Sequence, residues 1–215
     1  MNTKRIIFWA CFLVILGLII WGLIVAMNKT SAPGAYGTAP EVTAADHILG
    51  PRDAKVTVIE YGDFQCPACA AYAPLLERLA AEEATGTVRV VFRHFPLPQH
   101  PNAIAAALAS EAASRQGKFW EMYSIIYSNQ TTWENDSAET AKAEFEGYAT
   151  QLGLDKQKFA SDVAATSTLK RVEDGRAEAQ SLSLTYTPTF FVNGKVIANP
   201  QGYEAFKALI DQSAK

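Results

Sequence analysis

Cysteine and histidine are scarce in this 215-residue chain, with three of each. One close cysteine pair without a second cluster supplies too few ligands for the usual four-coordinate structural zinc. Runs of basic residues are absent as well. Of the 19 Lys and Arg, three (Lys4, Arg5 and Lys29) precede position 31, where no acid occurs, leaving sixteen against 22 acids in the remainder. A mildly acidic body without a basic patch argues against nucleic acid, because phosphate neutralisation is the sequence-independent part of such binding. Internal repeats and low-complexity tracts are also missing, so the sequence from Asp46 onward reads as one unit. At 49% apolar composition the chain is long enough to bury one good core.

Residues 6–27 are uncharged and read IIFWACFLVILGLIIWGLIVAM. Twenty-two residues at about 1.5 Å of rise span a hydrocarbon core of roughly 30 Å. A cleaved secretory signal is the competing reading, but its apolar region usually runs to only about 7–15 residues. The preferred expectation is a single-pass membrane anchor that spans residues 6–27 behind a short cytoplasmic N-terminus, residues 1–5. Two basic residues before the span and one after it place the body outside the cytoplasm. Residues 28–45 are small, Gly- and Pro-containing, and read as a flexible linker.

The segment from Lys55 to Gly62 is β-branched between polar boundaries and predicts a buried strand. A helix is expected from Pro67, which suits a first helical position, ending at Gly86; a strand over 88–94 then completes a β-α-β unit. Residues 101–183 carry helical periodicity, including one stripe at Ile104, Leu108 and Ala112 and another at Phe119, Met122, Tyr123 and Ile126. Asp136 and Glu139 have capping-box spacing, and Asp155 is placed to cap the next helix. Asn193-Gly194 marks a tight hairpin, and a closing helix follows over 203–213. The fold class expected is α/β with a helical insertion at about 101–183.

Cys11 lies in the apolar run and reads as a small buried hydrophobe. Cys66 and Cys69 stand three apart where a strand meets a helix, so both sulfurs fall on the first turn. A sulfur at a helix start meets unpaired N–H groups and a partial positive charge, which favour the thiolate, the nucleophilic form. Cys69, one turn in, is the candidate resolving thiol. A structural disulfide, a zinc site completed by His94 or His100, and two inert thiols compete with this reading. A bridge over so short a loop adds little stability, whereas C-x-x-C beside β-α-β is a redox signal. His94 and His100 are read as loop and packing residues, and no metal site is expected.

The motifs VIEYGDFQCPAC, FRHFPLPQHPNA, QGKFWEMYSIIYSNQTTW and TPTFFVNGK, in that order, resemble the DsbA-like branch of the thioredoxin superfamily from about Asp46 to the C-terminus. The resemblance implies a thioredoxin fold with an inserted helical domain, and thiol–disulfide oxidoreductase activity through Cys66 and Cys69. It also implies active-site support from Glu60, Pro67 and Ala68, and a substrate-binding loop at Thr187 and Pro188, with Pro188 in cis. No cofactor is implied beyond the Cys66–Cys69 disulfide. The partners implied are cysteine-containing exported proteins and a quinone-linked membrane protein. Pro-Ala between the cysteines departs from the Pro-His of strongly oxidising relatives, and Tyr186 stands where many have Gly. Oxidation of client thiols is the preferred direction; reduction or isomerisation, and a non-catalytic binding module, remain the alternatives.

Overall fold

The computed structural model describes residues 9, 12–13, 16–18, 36–82 and 87–215. The chain divides into two units, residues 1–35 and 36–215. In the first, the described residues are helical and Trp9 meets Phe12 edge-on at 5.7 Å. Most of the expected anchor, the first part of the expected linker and the helix stop expected at Gly86 lie outside the described residues. Among the described residues, no helix is long and apolar enough to cross a membrane.

The second unit is built on five strands: β1 (His47–Leu49), β2 (Val56–Gly62), β3 (Val88–His94), β4 (Thr189–Val192) and β5 (Lys195–Ile197). They lie in the order β1-β3-β2-β4-β5. β2 runs parallel to β3, with Gly62 opposite His94, and every other pairing is antiparallel. The helices are α1 (Pro67–Glu82), α2 (Ala103–Ser114), α3 (Phe119–Ser128), α4 (Gln130–Trp133), α5 (Ala138–Gln151), α6 (Lys156–Ala164), α7 (Thr166–Ser181) and α8 (Tyr203–Ser213).

Strand alternation assigns the layers. Val56 and Val58 of β2 join Val88, Val90 and Phe190 under Leu76 and Leu79 of α1 and Phe206 and Ile210 of α8. Ile59 and Tyr61, the alternate residues, pack with Val91 and Phe191 against Ala179 on α7. Helices α2 to α6 enclose a third cluster, including Met122, Trp133, Phe145 and Phe159, which continues into Phe64, Cys66 and Cys69. The expected thioredoxin fold with a helical insertion is therefore the observed one, and the reactive pair lies where sheet and insertion share a core.

Three local expectations need correction. Residues 36–45 are not a free tether: Ala39 is buried, its N–H donates to the Gly194 carbonyl at 3.1 Å, and the Pro40 and Glu41 carbonyls accept from Arg93. Arg93 is itself buried and pairs with Asp46 at 2.9 Å and Glu178 at 2.9 Å, so it draws this segment onto the sheet. The cap of α5 is Ser137, whose hydroxyl accepts from the Thr140 N–H at 3.2 Å, one residue beyond Asp136. Ile104 is exposed, because α2 buries its alanines instead. The hairpin and the Asp155 cap stand as expected: Asn193 and Gly194 have φ of 48° and 79°, and Asp155 accepts from the Lys158 N–H at 2.8 Å.

Candidate active site

Strand β2 delivers the chain to the sheet's end at Gly62, where a side chain would collide with the Phe92 ring at 2.4 Å. The loop 63–66 then turns into α1. The Cys66 N–H donates to the Asp63 carbonyl at 3.0 Å, and the Cys66 carbonyl accepts the first helical bond, from Ala70, at 3.1 Å. Cys66 is thus the residue from which the helix starts, as its spacing from Pro67 predicts. Its side chain is 7% exposed while Pro67 and Ala68 stand in solvent, and Cys69 is fully buried behind them. Both cysteines are free thiols.

The two sulfurs are electrostatically unequal. A hydrogen bond from the Cys69 thiol pulls the Cys66 thiol down to about 6, against burial; Thr187 and the N–H groups of Cys69 and Ala68 act in the same direction. Burial pushes Cys69 well up, and the nearby Cys66 and Glu60 add to it. One sulfur is therefore an anion at neutral pH and the other keeps its proton, the division of labour that exchange chemistry needs.

Across the sulfurs lies the loop before β4. The Thr187-Pro188 bond is cis, and the Cys66 thiol donates to the Thr187 carbonyl at 3.4 Å. While Cys66 is a thiol the buried Thr187 hydroxyl has no partner among the described residues, which leaves it as a donor for the thiolate. Tyr186 is exposed beside it and meets the Tyr36 ring edge-on at 6.5 Å.

Glu60 lies beneath the pair, fully buried on the face of β2 whose earlier positions are valines. Burial pushes its carboxyl up to about 8, opposed by a hydrogen bond that Tyr123 donates to Oε2 at 3.1 Å. Oε1 has no hydrogen-bond partner among the described residues.

The helical insertion holds the loop. Gln130 Nε2 donates to the carbonyls of Phe64 at 2.7 Å and Cys66 at 3.1 Å. Gln65 donates to the Glu134 carbonyl at 2.6 Å and accepts from the Asn102 N–H at 2.6 Å. Asp63, whose orientation the sequence does not reveal, accepts from the N–H groups of Gln65 (2.7 Å) and Leu97 (2.8 Å), and pairs with His100 Nδ1 at 2.7 Å. It therefore secures the loop rather than facing the sulfurs. A polar hollow of about 430 Å³ opens beside Pro67, walled by Gln65, His100, Pro101 and Glu134.

Cys66, Cys69, Glu60, Thr187 and Pro188 thus converge, with Pro67 and Ala68 as the exposed rim. His94 pairs with Glu111. Sequence reasoning gave no site role to Gln130 or to the hydroxyl of Tyr123: both lie within QGKFWEMYSIIYSNQTTW, where Tyr123 reads as part of an apolar stripe and Gln130 as an ordinary polar residue.

A family model described as Thioredoxin matches residues 42–212. Among curated proteins, the chain is 39% identical over 166 residues to the Na(+)/H(+) antiporter NhaA 1 of Salinispora arenicola, a match covering 77% of this chain and 24% of the antiporter. The chain thus spans about a quarter of the length of such relatives. Among solved structures it is similar to oxidised BdbD from Bacillus subtilis, with a TM-score of 0.72 at 23% identity, covering 84% of this chain and 99% of that one. It is also similar to α-DsbA1 from Wolbachia pipientis, with a TM-score of 0.70 at 19% identity, covering 82% and 93%.

Proposed function

The chain belongs to the thioredoxin family and has the DsbA-like fold, and from that premise we propose that it oxidises cysteine pairs in exported proteins through a Cys66–Cys69 disulfide. The observation that carries this reading is the asymmetry of the sulfurs: Cys66 is held near pKa 6 at a helix start, and Cys69 is buried with its proton.

In the first step a client thiolate attacks the Cys66 sulfur of the oxidised pair. The Cys66–Cys69 bond breaks, and Cys69 leaves as a thiolate that takes up a proton. Glu60 is buried beside it and neutral below about pH 8, so it is the group placed to supply that proton. A second client thiolate then attacks the client's own sulfur in the mixed disulfide. The client disulfide forms, and Cys66 leaves as a thiolate; its low pKa makes it a good leaving group. Two electrons have passed from client to enzyme, and the reduced pair must be reoxidised. The resemblance supports a quinone-linked membrane protein for that step.

The cis bend at Pro188 and the Thr187 backbone offer an edge on which an extended client segment can align its sulfur with Cys66. The apolar run at 6–27 and its charge flanks support a membrane-tethered body outside the cytoplasm, which raises the effective concentration of a membrane-bound reoxidant.

Replacing Cys69 by Ser tests the reading. Without a resolving thiol, Cys66→client adducts should accumulate as mixed disulfides, separable on non-reducing gels and absent from a Cys66→Ser form. A Cys69→Ser chain that traps no client while a Cys66→Ser chain keeps its biological role would instead support a binding module.

A further inference from the structure

Away from the cysteines, three elements bring two histidines and a glutamate together. We propose that His47, His94 and Glu111 form a binding site for one divalent transition-metal ion of the zinc type, distinct from the redox pair. His47 comes from β1, His94 ends β3 and Glu111 lies on α2. Both imidazoles point Nε2 at the same carboxylate oxygen, His47 at 2.6 Å and His94 at 2.7 Å. All three ligand atoms fall within 4.8 Å of one another.

Two imidazole nitrogens and one carboxylate oxygen are a donor set that zinc uses where a fourth position stays open. Bonds of about 2.0–2.2 Å to each ligand require each imidazole nitrogen to part from the Glu111 oxygen by only about 1 Å. The rings are also held in place, as ligand rings must be. His47 stacks on Phe119 with centroids 3.6 Å apart and planes 7° from parallel, and His94 is edge-on to Phe92 at 5.3 Å. Side-chain exposure is 10% for His47, 4% for His94 and 8% for Glu111. A hollow of about 180 Å³ is lined by His94 and Arg171 and so borders the cluster on that side.

One cation competes. Arg171 Nε lies 3.5 Å from the same Glu111 oxygen, and its side chain is 35% exposed. Together with the imidazole N–H groups it balances the carboxylate in the metal-free state. Metal binding asks the rings to present Nε2 as a lone pair, with hydrogen on Nδ1, and places a second cation beside Arg171.

The test is titration of the full chain in detergent with Zn²⁺ by calorimetry and with Co²⁺ by absorbance, with Cys66 and Cys69 replaced by Ser. One equivalent should bind, with Co²⁺ d–d bands and no thiolate charge-transfer band. Glu111→Gln and His47→Gln should each lower affinity by on the order of 100-fold, at least the effect of losing a ligand's supporting partner. Arg171→Gln removes a partly exposed side chain and should tighten binding. The proposal is overturned by no saturable binding at about 100-fold metal excess, by equal affinity in Glu111→Gln, or by unchanged or weaker affinity in folded Arg171→Gln. It is equally overturned by unchanged affinity in His47→Gln.

Discussion

Replacing Cys69 by Ala should raise the Cys66 pKa, because a hydrogen bond from the Cys69 thiol is the largest influence pulling it from 9.0 to about 6. A hydrogen bond to a charged group contributes about 1.5–3 kcal/mol, and a thiol is a weak donor. The lower end of that range, at about 1.4 kcal/mol per unit, corresponds to roughly one pKa unit. In Cys69→Ala the Cys66 thiol should therefore titrate near 7. At pH 6 its thiolate fraction falls from about one half to about one tenth, so alkylation at Cys66 slows about fivefold. Cys69→Ser keeps a donor in the same place and should stay near the parent value. The assay is iodoacetamide alkylation against pH, followed by mass at the peptide that carries Cys66. Should the Ala variant still titrate near 6, the shared hydrogen bond is not what sets the pKa, and the helix start alone must carry it.

Glu60 gives a pH signature in stability. Its carboxyl is raised by burial to about 8 from 4.5, so the folded chain keeps a proton that the unfolded chain releases. Stability therefore falls as pH rises between about 5 and 8, by about 1.4 kcal/mol per pH unit. Glu60→Gln should flatten that slope in urea unfolding of the oxidised chain at pH 6 and pH 8; parallel slopes contradict the buried neutral acid. Gln130→Ala removes both bonds from the insertion to the Phe64 and Cys66 carbonyls and should cost about 1–3 kcal/mol in the same assay. A loss under about 0.5 kcal/mol means that the loop does not rely on that clamp.

What the sequence made legible was local. β2, the start of α1 and the Asn193-Gly194 turn each follow from a few neighbouring residues whose backbone preferences agree, and the cysteine pair is itself a local signal. β1 escaped notice because three residues, His47–Leu49, are too few to show a period and pair only with β3. The ordering of residues 36–45 depends on Arg93, distant in sequence, whose buried guanidinium needs the Pro40 and Glu41 carbonyls. The cap of α5 moved by one position because Asp136 and Ser137 both carry suitable oxygens, and only the extended backbone at Ser137 decides between them. In the site, the depth of Glu60 and its bond to Tyr123 span 63 residues, and Glu111 meets two histidines from separate strands. No spacing rule reaches those distances; the packing of the insertion on the sheet creates them.

The central claim is that Cys66 and Cys69 exchange between dithiol and disulfide as an oxidising pair, and equilibration of the full chain against glutathione buffers addresses it most directly. With Cys66 at about 6, the thiolate stabilises the reduced state at pH 7 by about 1.4 kcal/mol over an ordinary thiol, or roughly 30 mV for two electrons. The expected result is one reversible two-electron transition at a potential clearly less negative than about −270 mV, the thioredoxin value. A potential at or below that value contradicts the oxidising role, and a pair that never forms a disulfide across the buffer range contradicts the exchange chemistry itself.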